Sequence, residues 1–300
     1  CCLINIKDML ENGTVMNGKM IESPKSFQTA CTITTQIIAS VASSQYGGQS
    51  VNIAHLGKYL RRTKNKYVEQ CETEFGSTLD ADTKKHFVDM RVKEALKAGV
   101  QTIQYQINTL MTTNGQSPFV TLFLYLDEKD EYIQENAMII EEILKQRYEG
   151  IKNEKGVYVT PAFPKLIYVL DENNCFKGGK YDYLTRLAVK CSSKRLYPDY
   201  ISAKKMREYY EGNVFSPMGC RSFLSPWKDE NGNYKFEGRF NQGVVSINLP
   251  QCGILAKGDE KKFWEILEER LKLCFDALMC RHNALMGVTS DVSPVHWQYG

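Results

Sequence analysis

Buried strands alternate with amphipathic helices along this chain, and the alternation restricts the fold more than any other feature of the sequence. Four short apolar runs are typical of strands buried on both faces: 1–6, 119–125, 166–170 and 244–248. Apolar residues recur at helical spacing in six segments: 27–42, 53–66, 81–110, 131–148, 183–190 and 260–284. Strands separated by helices pair in parallel and carry the helices outside. The sequence therefore predicts an α/β fold, either a barrel or a doubly wound sheet.

One domain is predicted over residues 1–300, because no internal repeat and no low-complexity linker interrupts the chain. The 43% of hydrophobic residues are sufficient for a large core. The chain begins without Met, inside the first predicted strand. We therefore expect it to be a piece of a longer protein.

The charge balance and the cysteines narrow the possible functions. A formal charge of +3 from 38 basic and 35 acidic residues provides no basic face, so long nucleic acid is not an expected partner. No stretch approaches the roughly 18 consecutive apolar residues of a membrane span. The 10 cysteines include no Cys-x-x-Cys pair. We expect a cytoplasmic protein in a reducing compartment, with no metal site of its own.

One loop has the composition of a shielded reactive site. Residues 215–227 hold the Cys220 thiol between two prolines, Pro217 and Pro226, and directly after Gly219. Such a sequence favours a stiff, bent loop, and its Met, Phe, Leu and Trp side chains favour insertion into the protein. The alternative is a hydrophobic loop whose cysteine only packs.

Two polar turns at strand ends, 47–50 and 114–118, are candidate ligand-binding segments, because their backbone N–H groups and amide side chains can meet a ligand. The alternative for each is a plain turn. The residues predicted to bind substrate are Gly47, Gly48, Gln49, Asn114, Gly115, Gln116 and Ser117.

Four segments, taken together and in order, resemble the anaerobic (class III) ribonucleoside triphosphate reductases. They read Asn-Thr-Leu-Met-Thr-Thr-Asn-Gly-Gln-Ser-Pro-Phe (108–119), Lys-Arg-Leu-Tyr-Pro-Asp (194–199), Ser-Pro-Met-Gly-Cys-Arg-Ser-Phe-Leu (216–224) and Asn-Gln-Gly-Val-Val-Ser-Ile-Asn-Leu-Pro (241–250). The resemblance runs from Cys1 to the last residues. It implies a ten-stranded α/β barrel of two antiparallel halves with a finger loop, incomplete in this piece.

The resemblance also assigns the catalytic residues. Cys220 matches the finger-loop cysteine, whose transient thiyl radical removes the 3′ hydrogen of the ribose. Cys1 matches the cysteine on the first strand, which donates hydrogen at the 2′ carbon. The adjacent Cys2 should point to the opposite face of that strand, so only one of the two thiols can meet the substrate.

The expected reductant follows from two departures from the aerobic relatives. Those relatives have a carboxylate two residues after the radical cysteine and a second redox cysteine on a neighbouring strand. Ser222 and Asn241 take these places here. The resemblance therefore implies the formate-using branch, in which one small molecule supplies both a carboxylate and the electrons. The simpler interpretation of Asn241 is a strand-end residue that bonds its own turn.

The resemblance further implies allosteric control by nucleotides and activation by a second protein. Glu22, Lys25 and Gln36 match positions that bind a deoxynucleotide effector at a homodimer interface. Met111 stands where relatives often have histidine. The family's glycyl-radical segment, its four-cysteine zinc site and its ATP- and deoxynucleotide-binding cone lie outside these residues. We expect the piece alone to be inactive and the whole protein to need an iron-sulfur, S-adenosylmethionine-dependent activase.

The sequence is also compatible with two other functions. One is a different glycyl radical enzyme, of the formate-lyase or dehydratase type, which would act on small acids or alcohols. The other is a catalytically silent nucleotide-binding barrel, which would tolerate the loss of Cys220.

Overall fold

The computed structural model describes residues 1–44, 47–113, 115, 117–219, 222–289 and 292. The strands are β1 (Cys2–Leu3), β2 (Thr14–Met16), β3 (Lys19–Ile21), β4 (Gln49–Asn52), β5 (Val120–Leu124), β6 (Ile151–Lys152), β7 (Tyr158–Val159), β8 (Lys165–Leu170), β9 (Asp199–Ser202) and β10 (Arg239–Phe240). The helices are α1 (Ile6–Glu11), α2 (Phe27–Ser44), α3 (Gly57–Phe75), α4 (Ala81–Thr109), α5 (Ile133–Glu149), α6 (Glu172–Cys175), α7 (Asp182–Arg195), α8 (Ala203–Tyr209), α9 (Leu249–Ala256) and α10 (Glu260–Leu285). The residues form two compact units, which divide after Arg239.

A parallel sheet organises the first unit, as the alternation of elements predicts. Strands β1, β4, β5, β8 and β9 are neighbours in this order and all pair in parallel. The two-residue strand β10 stands beside β1. Because each strand is added on the same side of the previous one, right-handed crossovers carry the connecting helices to one face of the sheet. The α/β class is confirmed.

The helical layer is held by close packing between α2 and α4. Phe27, at the start of α2, is fully buried. A Cβ atom on Gly99 of α4 would lie 2.5 Å from the Phe27 ring, so only glycine allows this approach. The Phe27 amide also donates to the Thr63 hydroxyl of α3 at 2.8 Å. These contacts join three helices into a single layer over the sheet.

The other face of the sheet carries an apolar cluster built from alternate strand residues. Phe123 lies on β5, Tyr125 comes directly after this strand, and Ile167 and Val169 lie on β8. Val214 packs against this cluster from the loop that follows α8. The sheet therefore has helices on one face and a loop on the other, which we call the loop face.

The structure corrects three predicted elements. The first strand covers only Cys2–Leu3, because Asn5 caps helix α1 by accepting from the Asp8 amide. The turn predicted at Gln49 and Ser50 is strand β4, since the turn ends at Gly48. The strand predicted at 244–248 does not form. The Val244 carbonyl instead accepts from the Arg281 side chain at 3.1 Å.

The second unit contains α9 and the long helix α10. Helix α10 begins at Glu260, where the Asp259 side chain accepts from the Lys262 amide, and it ends at Leu285. The predicted helix at 260–284 is confirmed. Helix α9 was not predicted, although Asn248 caps it and a proline stands in its first turn. None of the described helices combines the length and apolar character needed to span a bilayer.

Candidate active site

The amino ends of β1 and β4 bring the Cys1 thiol next to a predicted glycine turn. The Cys1 sulfur lies 3.1 Å from the position that a Cβ atom on Gly47 would occupy. Gly47 has a φ of +97°, a conformation that residues with a side chain rarely adopt. The turn therefore presents bare backbone to the thiol, and a side chain at Gly47 would both strain the turn and crowd the sulfur.

Strand register separates the two adjacent cysteines. Cys2 pairs with Gln49 and Leu3 pairs with Ser50. The Gln49 side-chain amide donates to the Ile38 carbonyl of α2 at 2.9 Å, so the Gln49 and Cys2 side chains face the helices. Cys2 is buried, whereas Cys1 is half-buried. Since side chains alternate along a strand, Cys1 shares the loop face with Leu3 and Ser50.

The segment that leads to Cys220 is inserted against this same face. Residues 215–219 are all buried, which confirms the predicted insertion for this part of the loop. The Ser50 hydroxyl donates to the Pro217 carbonyl at 2.7 Å. The Phe215 ring stacks on Phe236 with ring centroids 4.2 Å apart. The base of the loop is thus fixed by one buried hydrogen bond and by aromatic packing.

Two glycine backbones meet directly where the loop reaches the sheet. A Cβ atom on Gly48 would lie 2.9 Å from the Gly219 Cα atom and 2.9 Å from the Phe119 ring. A Cβ atom on Gly219 would lie 3.0 Å from the Gly48 Cα atom. Neither position can hold a side chain without moving backbone or ring. Gly47 and Gly48 therefore link Cys1 to the residue before Cys220.

Cys220 itself lies outside the described residues, as do Asn114 and Gln116 of the predicted substrate turn. The Met218 amide donates to the Ser222 carbonyl at 2.8 Å, so the described residues on either side of Cys220 are joined. Ser222 is exposed.

The remaining predicted substrate residues lie near the same end of the sheet. The Gly115 amide donates to the Thr112 carbonyl at 2.9 Å, and Gly115 has a φ of +72°. Ser117 is half-buried ahead of β5. The Thr113 hydroxyl donates to the Ser43 carbonyl at 3.3 Å, which ties this turn to the end of α2. A substrate-binding role for these residues and for Gln49 stays a prediction.

Asn241 and the predicted effector residues are placed as follows. Asn241 belongs to the second unit, where it is half-buried after β10. Glu22 and Lys25 are exposed on the connection into α2, and Gln36 is exposed on α2 itself. Met111 is exposed after α4. The predicted roles of Asn241 and of the effector residues stay predictions.

Sequence reasoning did not single out two residues of this site, Ser50 and Phe119. Ser50 was part of a polar turn signal, but it was not distinguished from its neighbours. Alternation could have found it, since Gln49 and Ser50 must point to opposite faces. The Phe119 ring also lies under the Lys165 ammonium group, 4.5 Å from its centroid.

Thiol reactivity should differ sharply among the other cysteines. Burial raises the pKa of the Cys31 thiol far above its usual value and that of Cys191 to about 11. Cys175 is exposed. Because the thiolate is the reactive form, we expect iodoacetamide to label Cys175 in the native protein and to leave Cys31 and Cys191 unmodified. Peptide mass spectrometry measures this. Early labelling of Cys31 would contradict the described core.

The chain belongs to the anaerobic ribonucleoside-triphosphate reductase family, which it matches over residues 1–300. It is 40% identical over 308 residues to the anaerobic ribonucleoside-triphosphate reductase of Enterobacteria phage T4, with 100% of this chain and 49% of that protein covered. The enzyme of the same name from Escherichia coli K12 is 40% identical over 304 residues, with 100% of this chain and 41% of that protein covered. The chain thus spans between 41% and 49% of the length of these relatives.

A solved structure shows the same fold. The anaerobic ribonucleotide reductase from Thermotoga maritima in complex with dATP and CTP aligns with a TM-score of 0.61 at 12% identity. The alignment covers 100% of this chain and 48% of that one.

Proposed function

We propose that the protein to which this chain belongs reduces ribonucleoside triphosphates to deoxyribonucleoside triphosphates with a thiyl radical on Cys220 and formate as the reductant. One observation carries the proposal. Gly47 lies against the Cys1 sulfur, and Gly48, the next residue, lies against Gly219, which precedes Cys220. Family membership supports the substrate class, since the matched relatives are named ribonucleoside-triphosphate reductases.

The proposed roles of Cys1 and Cys2 follow from the face that each thiol occupies, and the role of Cys220 follows from its match to the family's finger-loop cysteine. Cys220 removes the 3′ hydrogen atom of the ribose. Cys1, on the loop face, protonates the leaving 2′ hydroxyl, takes up a proton again and then supplies a hydrogen atom to the 2′ carbon. Formate returns a hydrogen atom to Cys1 and passes its second electron to the sugar. Cys2 faces the helices and takes no part. With one proton consumed, formate leaves as carbon dioxide, the 2′ oxygen leaves as water, and the sugar gains one C–H bond.

A shielded loop suits radical chemistry, because a thiyl radical must be kept from solvent and from other thiols. Burial of residues 215–219 supports this part of the proposal. Ser222 and Asn241, at the places of a carboxylate and a redox cysteine in aerobic relatives, leave the carboxylate and electrons to formate.

The rest of the polypeptide completes the enzyme. We propose that the parallel sheet is half of a ten-stranded barrel in a cytoplasmic homodimer. A glycyl radical on a later segment would supply the unpaired electron after treatment with a radical S-adenosylmethionine activase, and zinc would bind in that later part. Glu22, Lys25 and Gln36 would bind a deoxynucleotide effector. The T. maritima enzyme bound to dATP and CTP supports nucleotides as ligands of this fold.

The test uses the full-length protein, activated anaerobically and given a ribonucleoside triphosphate with ¹⁴C-formate. We expect deoxynucleotide and labelled carbon dioxide in equal amounts. Deoxynucleotide formed only with a dithiol protein reductant, without carbon dioxide, would disprove the formate step alone. Absence of deoxynucleotide from radical-bearing enzyme under both conditions would disprove the function.

A further inference from the structure

We propose that Ser50 is the positioning residue for the Cys220 thiol. This inference rests on the proposed function, since it concerns the same radical step. We propose no contact between Ser50 and the substrate. It acts through the backbone of the loop, by fixing where Pro217 stands over the sheet.

The first contact joins distant parts of the chain. The Ser50 hydroxyl donates to the Pro217 carbonyl at 2.7 Å across 167 residues of sequence, and the bond is buried. The proline ring restricts φ, so a fixed carbonyl at Pro217 limits the direction in which the chain continues. Cys220 stands only three residues later. A hydroxyl on strand β4 thus fixes the start of residues 217–219, the short arm that leads to the Cys220 thiol.

The second contact sets how closely that arm approaches the sheet. Gly48, two residues before Ser50, meets Gly219 backbone to backbone, and the Phe119 ring touches both. The two contacts lie on the same strand end and bracket residues 217–219. Together they fix the direction of residues 217–219 and the distance of these residues from the sheet, directly before Cys220.

The part of the loop after Cys220 is hydrogen-bonded to this arm. The Met218 amide donates to the Ser222 carbonyl, so the return path is tied to the residue that follows Pro217. The Ser216 hydroxyl also donates to the Pro217 carbonyl, at 3.0 Å. This bond lies within the loop and therefore cannot fix the loop to the sheet. Ser50 supplies the sheet-to-loop bond that Ser216 cannot.

Hydrogen transfer from a C–H bond requires the sulfur to be in contact with that bond. A misplacement of about 1 Å can lower the rate of a positioned reaction about 10²-fold. A purely structural hydroxyl would instead change only the fraction of protein that folds. These two roles predict different isotope effects when the substrate carries deuterium at the 3′ carbon.

The experiment compares full-length wild type, Ser50→Ala and Ser50→Thr, with rates normalised to glycyl radical measured by electron spin resonance. For Ser50→Ala we expect kcat to fall about 10²-fold with KM nearly unchanged, and the 3′-deuterium isotope effect to rise as hydrogen abstraction becomes rate-limiting. Ser50→Thr keeps the hydroxyl and should recover most of kcat. Thr63→Ala is the matched control, since it removes a buried, hydrogen-bonded hydroxyl from the helical layer.

An unchanged isotope effect in Ser50→Ala, with kcat per radical equal to that of wild type, would overturn the inference. If Ser50→Ala does not fold, Gly48→Ala decides the question. It displaces the same arm through the second contact and should also raise the isotope effect; an unchanged effect would again overturn the inference. Failure of the wild type to make deoxynucleotide would instead refute the proposed function, so the two failures are distinguishable.

Discussion

Full-length protein carrying Cys220→Ala is expected to form no measurable deoxynucleotide after normal activation. The residue supplies the proposed hydrogen-abstracting sulfur, and alanine cannot carry a radical of that kind. Removing the nucleophile of a hydrolase costs on the order of 10⁶-fold in rate, and we expect a loss on that scale. Deoxynucleotide is measured by chromatography after anaerobic incubation with a ribonucleoside triphosphate and formate.

Two controls make that result specific to the thiol. Cys175→Ala removes an exposed sulfur at the end of α6 and should keep wild-type activity. The glycyl radical content of Cys220→Ala should match that of wild type, because activation precedes the thiol's step. Normal product from Cys220→Ala would refute the radical assignment and favour a barrel without this chemistry.

The adjacent pair Cys1 and Cys2 should respond very differently to the same substitution. Cys1→Ala is expected to lower deoxynucleotide formation about 10²- to 10⁴-fold, the range for losing a positioned proton donor. Cys2→Ala should stay active, because register turns Cys2 towards the helices and away from the loop. The measurement is kcat for each full-length variant, normalised to glycyl radical.

The structure also predicts how Cys1→Ala should fail. Cys220 and its supporting loop are untouched, so the first hydrogen transfer is retained and substrate should consume the radical without yielding product. Loss of glycyl radical signal on adding nucleotide would show this. Activity that survives in Cys1→Ala but not in Cys2→Ala would mean that the assigned faces are reversed.

Helices α4 and α10 were predicted closely because both their periodicity and their first residues carry information, whereas α3, predicted at 53–66, is observed at Gly57–Phe75. Helix α4 was predicted at 81–110 and is observed at Ala81–Thr109, where the Asp80 carboxylate caps the first amides. Helix α10 begins at the predicted Glu260 for the same reason, with Asp259 as its cap. Local hydrogen bonds decide these boundaries, and local sequence therefore reveals them.

Short strands were predicted less well because their pairing depends on distant neighbours. Strand β4 has four residues and follows two glycines, so its sequence favours a turn until β1 and β5 are placed on either side of it. Residues 244–248 form a short apolar run like that of a buried strand but make no strand ladder with the described residues. An apolar run allows a strand but does not supply its partner.

In the candidate site, too, features that depend on local sequence were predictable and features that depend on distant partners were not. Insertion of the segment before Cys220 was predicted from its own composition, since a loop rich in Met, Phe and Leu avoids the surface. The bond from Ser50 to Pro217 was not predictable, because nothing near either residue specifies a partner 167 positions away. The closeness of Gly48 and Gly219 likewise depends on the completed sheet.

The same long-range bond sets the earliest moment at which the site can exist in a living cell. A ribosome that has just finished Ser50 must add 167 more residues before the Pro217 acceptor is made. At about 5 to 20 residues per second, that delay is roughly 8 to 33 s. During that interval the nascent chain holds Cys1 and the glycine turn without residues 217–219, so the Cys220 thiol is made only after the strands against which its loop packs.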